Sequence, residues 1–146
     1  MLSPSAATAA AEAGPLATTS DGGFFVARQR APEREIPFRS GDVWSGSYYC
    51  PQGTTELDLE VDQVNGPDIS AIFSFRHAAS GVAGRFEVSG SYQPGSRRAK
   101  LEAGEWISQP LGYTAVDMDG FVDASDVVFS GRIVAPGCGP FSLRRR

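Results

Sequence analysis

The sequence predicts an all-β fold, a single antiparallel meander β-barrel of about eight strands. Three observations carry that expectation. Apolar and polar residues alternate in short runs, glycine and proline punctuate those runs (17 Gly and 10 Pro), and a Ser-Gly phrase returns in VWSGSYYC, VSGSY and FSGRI. A chain of 146 residues with 41% hydrophobic content suits one domain with its own core. A two-sheet β-sandwich accepts the same alternation and is the alternative architecture.

Residues 1–40 come first and show no sustained periodicity. With Pro15, Pro32 and Pro37 among them, they read as a flexible N-terminal extension ahead of a barrel domain at 41–146. Phe24, Phe25, Val26, Ile36 and Phe38 are apolar residues within it, expected to dock on the domain or on a partner. Residues 1–20 carry neither a basic stretch nor a continuous apolar core, so no secretory signal is expected there.

The first strand is VWSGSYYC, closed by the turn PQG. In TELDLEV, Leu57, Leu59 and Val61 face one way and Glu56, Asp58 and Glu60 the other. After NGPD, the run ISAIFSFR puts Ile69, Ala71, Phe73 and Phe75 on one face. HAASG leads to RFEVSGSY, where Phe86, Val88, Gly90 and Tyr92 share a face. QPGS, RAKLEA and a loop through ISQPLG follow, then YTAVDMDG, VDASD, DVVFSGRIV, APGCGP and a last FSL. Turns of this composition suit successive hairpins.

Parity explains the repeated phrase. Gly46, Gly90 and Gly131 fall on the same inward face as Trp44, Tyr48, Phe86, Val88, Tyr92, Phe129 and Ile133. Mid-strand glycines there permit a bend, a bulge or a close approach, which a small coiled barrel needs. The alternative is that they clear room for a ligand.

Charge narrows the partners. A net charge of −4 leaves no broad basic face for a phosphate backbone, so no nucleic acid is expected. No run approaches the ~20 apolar residues of a transmembrane helix, so no membrane span is expected. Arg144, Arg145 and Arg146 form a basic run at the end of the sequence, read as a solvated tail.

Catalytic and metal chemistry find little support. His77 is the sole imidazole and no serine sits in a nucleophile elbow. The acidic row of TELDLEV follows from strand alternation. Asp117, Asp119, Asp123 and Asp126 lack the order of a calcium loop and suit an Asp-rich hairpin. A non-enzymatic protein without cofactor or metal is therefore expected. Cys50 and Cys138 fit no local metal motif and are either a disulfide or two inert thiols. In a closed meander the first and last strands are neighbours, which would bring the two within bridging distance. A bridged pair would mean an extracytoplasmic, oxidising compartment; the sequence alone leaves the compartment open.

EWISQPLGY is the segment with recognition character. Trp106, Ile107, Leu111 and Tyr113 read as a loop around Gln109 and Pro110, a loop that either contacts a partner or folds inward as a plug. Trp106, Gln109 and Tyr113 are the candidate binding residues. The expected function is a non-catalytic binding or assembly module for a protein or small-molecule ligand. A small-ligand carrier, an enzyme inhibitor and a structural subunit of a larger complex are the alternatives.

The ordered set W-x-G-x-Y-x-C-x-x-G, F-x-F, F-x-V-x-G, W-I-x-x-P-x-G-Y and C-x-x-F-x-L, from Val43 to Leu143, resembles a small accessory β-domain of bacterial multidomain proteins, some with caspase-like or helical-repeat regions. That resemblance implies a non-catalytic module. A second, weaker likeness is to periplasmic C-type lysozyme inhibitors, eight-stranded barrels with an early Y-x-C, a disulfide and a Ser-Gly loop ending in Tyr. Tyr48 with Cys50, and the run Ser89, Gly90, Ser91 and Tyr92, are similar in type.

Overall fold

Alternation at a period of two, cut by Pro/Gly turns, produces eight strands in the computed structural model, which describes residues 36–146. They are β1 (Val43–Cys50), β2 (Gly53–Asn65), β3 (Asp68–His77), β4 (Ala83–Gln93), β5 (Arg98–Ser108), β6 (Asp117–Val122), β7 (Val128–Val134) and β8 (Pro140–Arg145). Each pairs antiparallel with the next, and β1 pairs with β8, so the meander closes into a barrel. The sandwich alternative is thereby set aside. Among the described residues, no helix is long and apolar enough to cross a membrane.

The inward face is as parity predicts. Leu57, Leu59, Val61, Phe73, Phe86, Val88, Phe129 and Ile133 are buried, while Glu56 and Asp62 are exposed. This apolar interior under a charged exterior inverts the pattern of a lipid-facing barrel.

The three inward glycines mark close strand approaches. A Cβ on Gly46 would run into the Ser142 carbonyl of β8, one on Gly90 into the Lys100 carbonyl of β5, and one on Gly131 into the backbone of β6 at Asp119 and Gly120. The space beside them is occupied by backbone, so they coil the barrel and leave no room for a ligand.

Two elements depart from the sequence expectation. β5 runs on to Ser108, which places Trp106 and Ile107 on a strand instead of a loop. The reason is a pair of register shifts: Val88 pairs with Ala103, Phe86 with Trp106 and Arg85 with Ser108. Extra residues bulge out of β5 there and break the alternation that marks a strand in sequence. Conversely β6 starts only at Asp117, so Tyr113 and the three residues after it belong to the β5–β6 loop.

One end of the barrel is closed by the chain itself. Ile36, Pro37 and Phe38, placed in the extension from sequence, are buried here. Phe38, 2% exposed, sets its ring 5.1 Å from Trp44, 5.4 Å from Phe129 and 6.0 Å from Tyr92. Burying such a ring is worth ~2–3 kcal/mol. Arg145 lies over the Trp44 ring at 4.9 Å and pairs with Asp42 at 3.1 Å, while Arg146 reaches Ser45 and Asp58. Arg145 of the basic run therefore packs on this end, while Arg146 lies on the outer face with its side chain 62% exposed. Phe24, Phe25 and Val26 lie outside the described residues.

Candidate functional site

The opposite end collects the turns at residues 51–52, 78–82, 109–116 and 135–139, and among the described residues no segment folds in to fill it. A cavity of about 520 Å³ opens there. Its floor and one wall are aromatic, from Tyr48 on β1, Phe75 on β3 and Phe86 on β4. Tyr113, Thr114, Ala115 and Val116 of the β5–β6 loop form a second wall. Pro51, Gln52, Ala135, Pro136 and the disulfide form the third.

Cys50 and Cys138 are joined, bridging a sequence separation of 88. Cys50 ends β1 and Cys138 sits in the turn before β8, so the bridge staples the seam where the barrel closes. It also fixes the two rim turns relative to each other. His77 pins a further turn to the first, with Nδ1 2.7 Å from Ser80 Oγ and Nε2 2.7 Å from the Gln52 carbonyl. Both ring nitrogens are thus spent on the rim.

The three candidate residues all come to this end, in different roles. Tyr113 lines the cavity, its ring stacked on Phe75 at 5.4 Å. Trp106 packs underneath, 4.9 Å from Phe86 and 6.1 Å from Phe75, both edge-on. Gln109 donates from Nε2 to the Tyr113 carbonyl at 3.0 Å, tying the loop to itself. Beyond them Leu111 is 100% exposed and Ile107 is 49% exposed.

Sequence reasoning missed the polar spot in this site. Thr55 is the buried polar side chain among the described residues, paired across β1–β2 with Tyr48. Its inward parity, two residues before Leu57, was the available signal. Burial pushes the Tyr48 phenol above its ordinary range; the Thr55 side chain pulls it back in part, and nearby Tyr113 adds to the rise. Tyr48 is therefore a neutral hydroxyl at any ordinary pH.

None of the fourteen lining residues is an Asp, Glu, Lys, Arg or His, although 21% of the chain is charged. The carboxylates of DMDGFVDASD are engaged elsewhere. Asp117 accepts from the Ala103 amide at 2.8 Å. Asp119 takes both arms of Arg98, which holds its carboxyl below the usual range. Asp126 pairs with Arg97. Asp123 accepts from the Val128 amide, Ser125 Oγ and the Val127 amide, and these bonds bring its pKa from 3.8 to about 2.

A second hollow of about 510 Å³ lies on the barrel exterior between Arg98, Phe121, Arg132 and Pro140. The run Ser89, Gly90, Ser91 and Tyr92 lies inside β4, with Tyr92 buried. In comparisons with known protein families, curated proteins and solved structures, no match to this chain was found.

Proposed function

We propose that this domain is a non-catalytic binding module that holds a small molecule in the barrel mouth, under the loop at residues 109–116. The observation that carries the reading is the cavity of about 520 Å³ walled by Tyr48, Phe75, Phe86 and Tyr113. Its size and apolar, aromatic lining are those of small-molecule sites, which favour the mouths of β-barrels. The stapled rim supports the same reading, because a wall held in place before binding lowers the ordering cost of binding. The bridge also suits an extracytoplasmic setting.

Native mass spectrometry of protein from its own host tests this. A co-purifying small molecule, lost on Ala115→Phe and on Ala135→Phe while the fold persists, is the expected result. A ligand retained in both filled variants would place binding elsewhere.

A second reading has its own observation. Leu111 and Ile107 expose apolar surface beside the mouth, which suits docking on a protein. Leu111→Asp with Ile107→Asp separates the two: protein association would be lost, whereas a ligand inside the mouth would stay bound.

A further inference from the structure

The mouth offers two kinds of surface, and together they select a class of ligand. One is the faces of Phe75, Phe86 and Tyr113, with Phe75 and Tyr113 stacked at an interplanar angle of 24°. The other is the hydroxyl of Tyr48, which stands on the cavity lining. Its cross-strand neighbour Thr55 donates from Oγ1 to the Gly53 carbonyl at 3.4 Å and accepts from Gln52 Nε2 at 3.5 Å. Neither bond uses the Tyr48 hydroxyl, whose one proton can be offered to the cavity.

Charge decides the rest. An ionised ligand group in this mouth would lose water and meet no counter-charge, since none of the lining residues is an Asp, Glu, Lys, Arg or His. Burying an unpaired charge costs far more than one hydrogen bond returns. An uncharged ligand avoids that cost. A flat ring system finds aromatic faces, and a single carbonyl or ether oxygen finds a donor.

We propose that the mouth binds an uncharged, ring-bearing, mostly apolar molecule whose one hydrogen-bond acceptor is held by the Tyr48 hydroxyl. The proposal rests on the reading of the mouth as a small-molecule site and adds its specificity.

The test compares two naphthalene probes on the intact chain: Prodan, neutral with one ketone, and anilinonaphthalene sulfonate, which carries a fixed negative charge. Prodan binds at least 10-fold more tightly, and Ala115→Phe or Ala135→Phe abolishes its binding. Tyr48→Phe weakens Prodan by about 3- to 10-fold, the worth of one hydrogen bond, and shifts its bound emission to the blue because the ketone loses its donor. Circular dichroism confirms that the variants are folded. Equal binding of the two probes, displaced by the filling variants, overturns the neutral class and leaves the mouth as a site. Prodan binding that the filling variants do not touch, or binding of neither probe, overturns the mouth itself. Unchanged affinity and emission in Tyr48→Phe overturn the role given to that hydroxyl.

Discussion

The two ends of this barrel are built from the same eight strands and finish differently. At one end Ile36 and Phe38 fold in, and Phe38 completes a cluster with Trp44, Tyr92 and Phe129. At the other no described segment enters, aromatic side chains line the walls, and a cavity of about 520 Å³ remains. The strand pattern decides that a barrel forms; the connections decide whether each end is core or site. Closure draws on burial of the chain's own side chains, whereas the mouth stays open because a covalent staple and pinned turns hold it.

That contrast can be broken in order of expected effect. Replacing both cysteines by serine should lower the unfolding free energy most, by up to ~4–5 kcal/mol for a loop of this length, read as a lower urea midpoint. A midpoint that does not move would mean the rim holds without its staple. Phe38→Ala should cost ~3–5 kcal/mol through lost burial and a cavity, with Prodan affinity at the mouth unchanged. Affinity falling in parallel would make the two ends one cooperative unit. Gly90→Ala should cost ~1–3 kcal/mol, because its Cβ meets the backbone carbonyl of Lys100, which cannot rotate away.

The smallest effect separates the ends by pH. Asp123 closes the β6–β7 turn at the sealed end, and its folded pKa is lowered from 3.8 to about 2. A lowered carboxylate contributes stability that is present above its unfolded value and is lost as pH falls through the folded one. Between about pH 4 and pH 2, amide exchange at Val127 and Val128 should therefore quicken. The mouth has no carboxylate in its lining, and its rim amides should hold steady over that window. Rim amides that quicken equally would erase the distinction.

Much of the barrel wall was legible because burial there follows a period of two. Leu57, Leu59, Val61, Phe73 and Phe86 could be assigned inward from alternation, and the closing of first strand on last followed from hairpin turns. Trp106 was misplaced because bulges in β5 destroy the period locally, and a bulge has no strong sequence mark beyond nearby Gly104. Tyr113 and Gln109 were legible as members of a non-repetitive, aromatic segment, although their division into wall and latch was not. The cavity itself was not legible. An empty volume depends on what fails to fold inward, and the sequence encodes residues, not vacancies. Tyr48 and Thr55 illustrate this: alternation places both inward, but only the open end leaves Tyr48 on the wall of a cavity.

The position of the disulfide also sets how the barrel yields to tension. Ile36 and Arg146 both leave from the sealed end, while the Cys50–Cys138 bond crosses the β1–β8 seam at the other. A pull between the two chain ends loads that seam as a zipper, parting Arg146 from Val43 first and opening pair after pair along β1. The covalent bond then stops the tear. Extension would halt with residues 50–138 still enclosed, so the open end of the barrel is the last that force can reach.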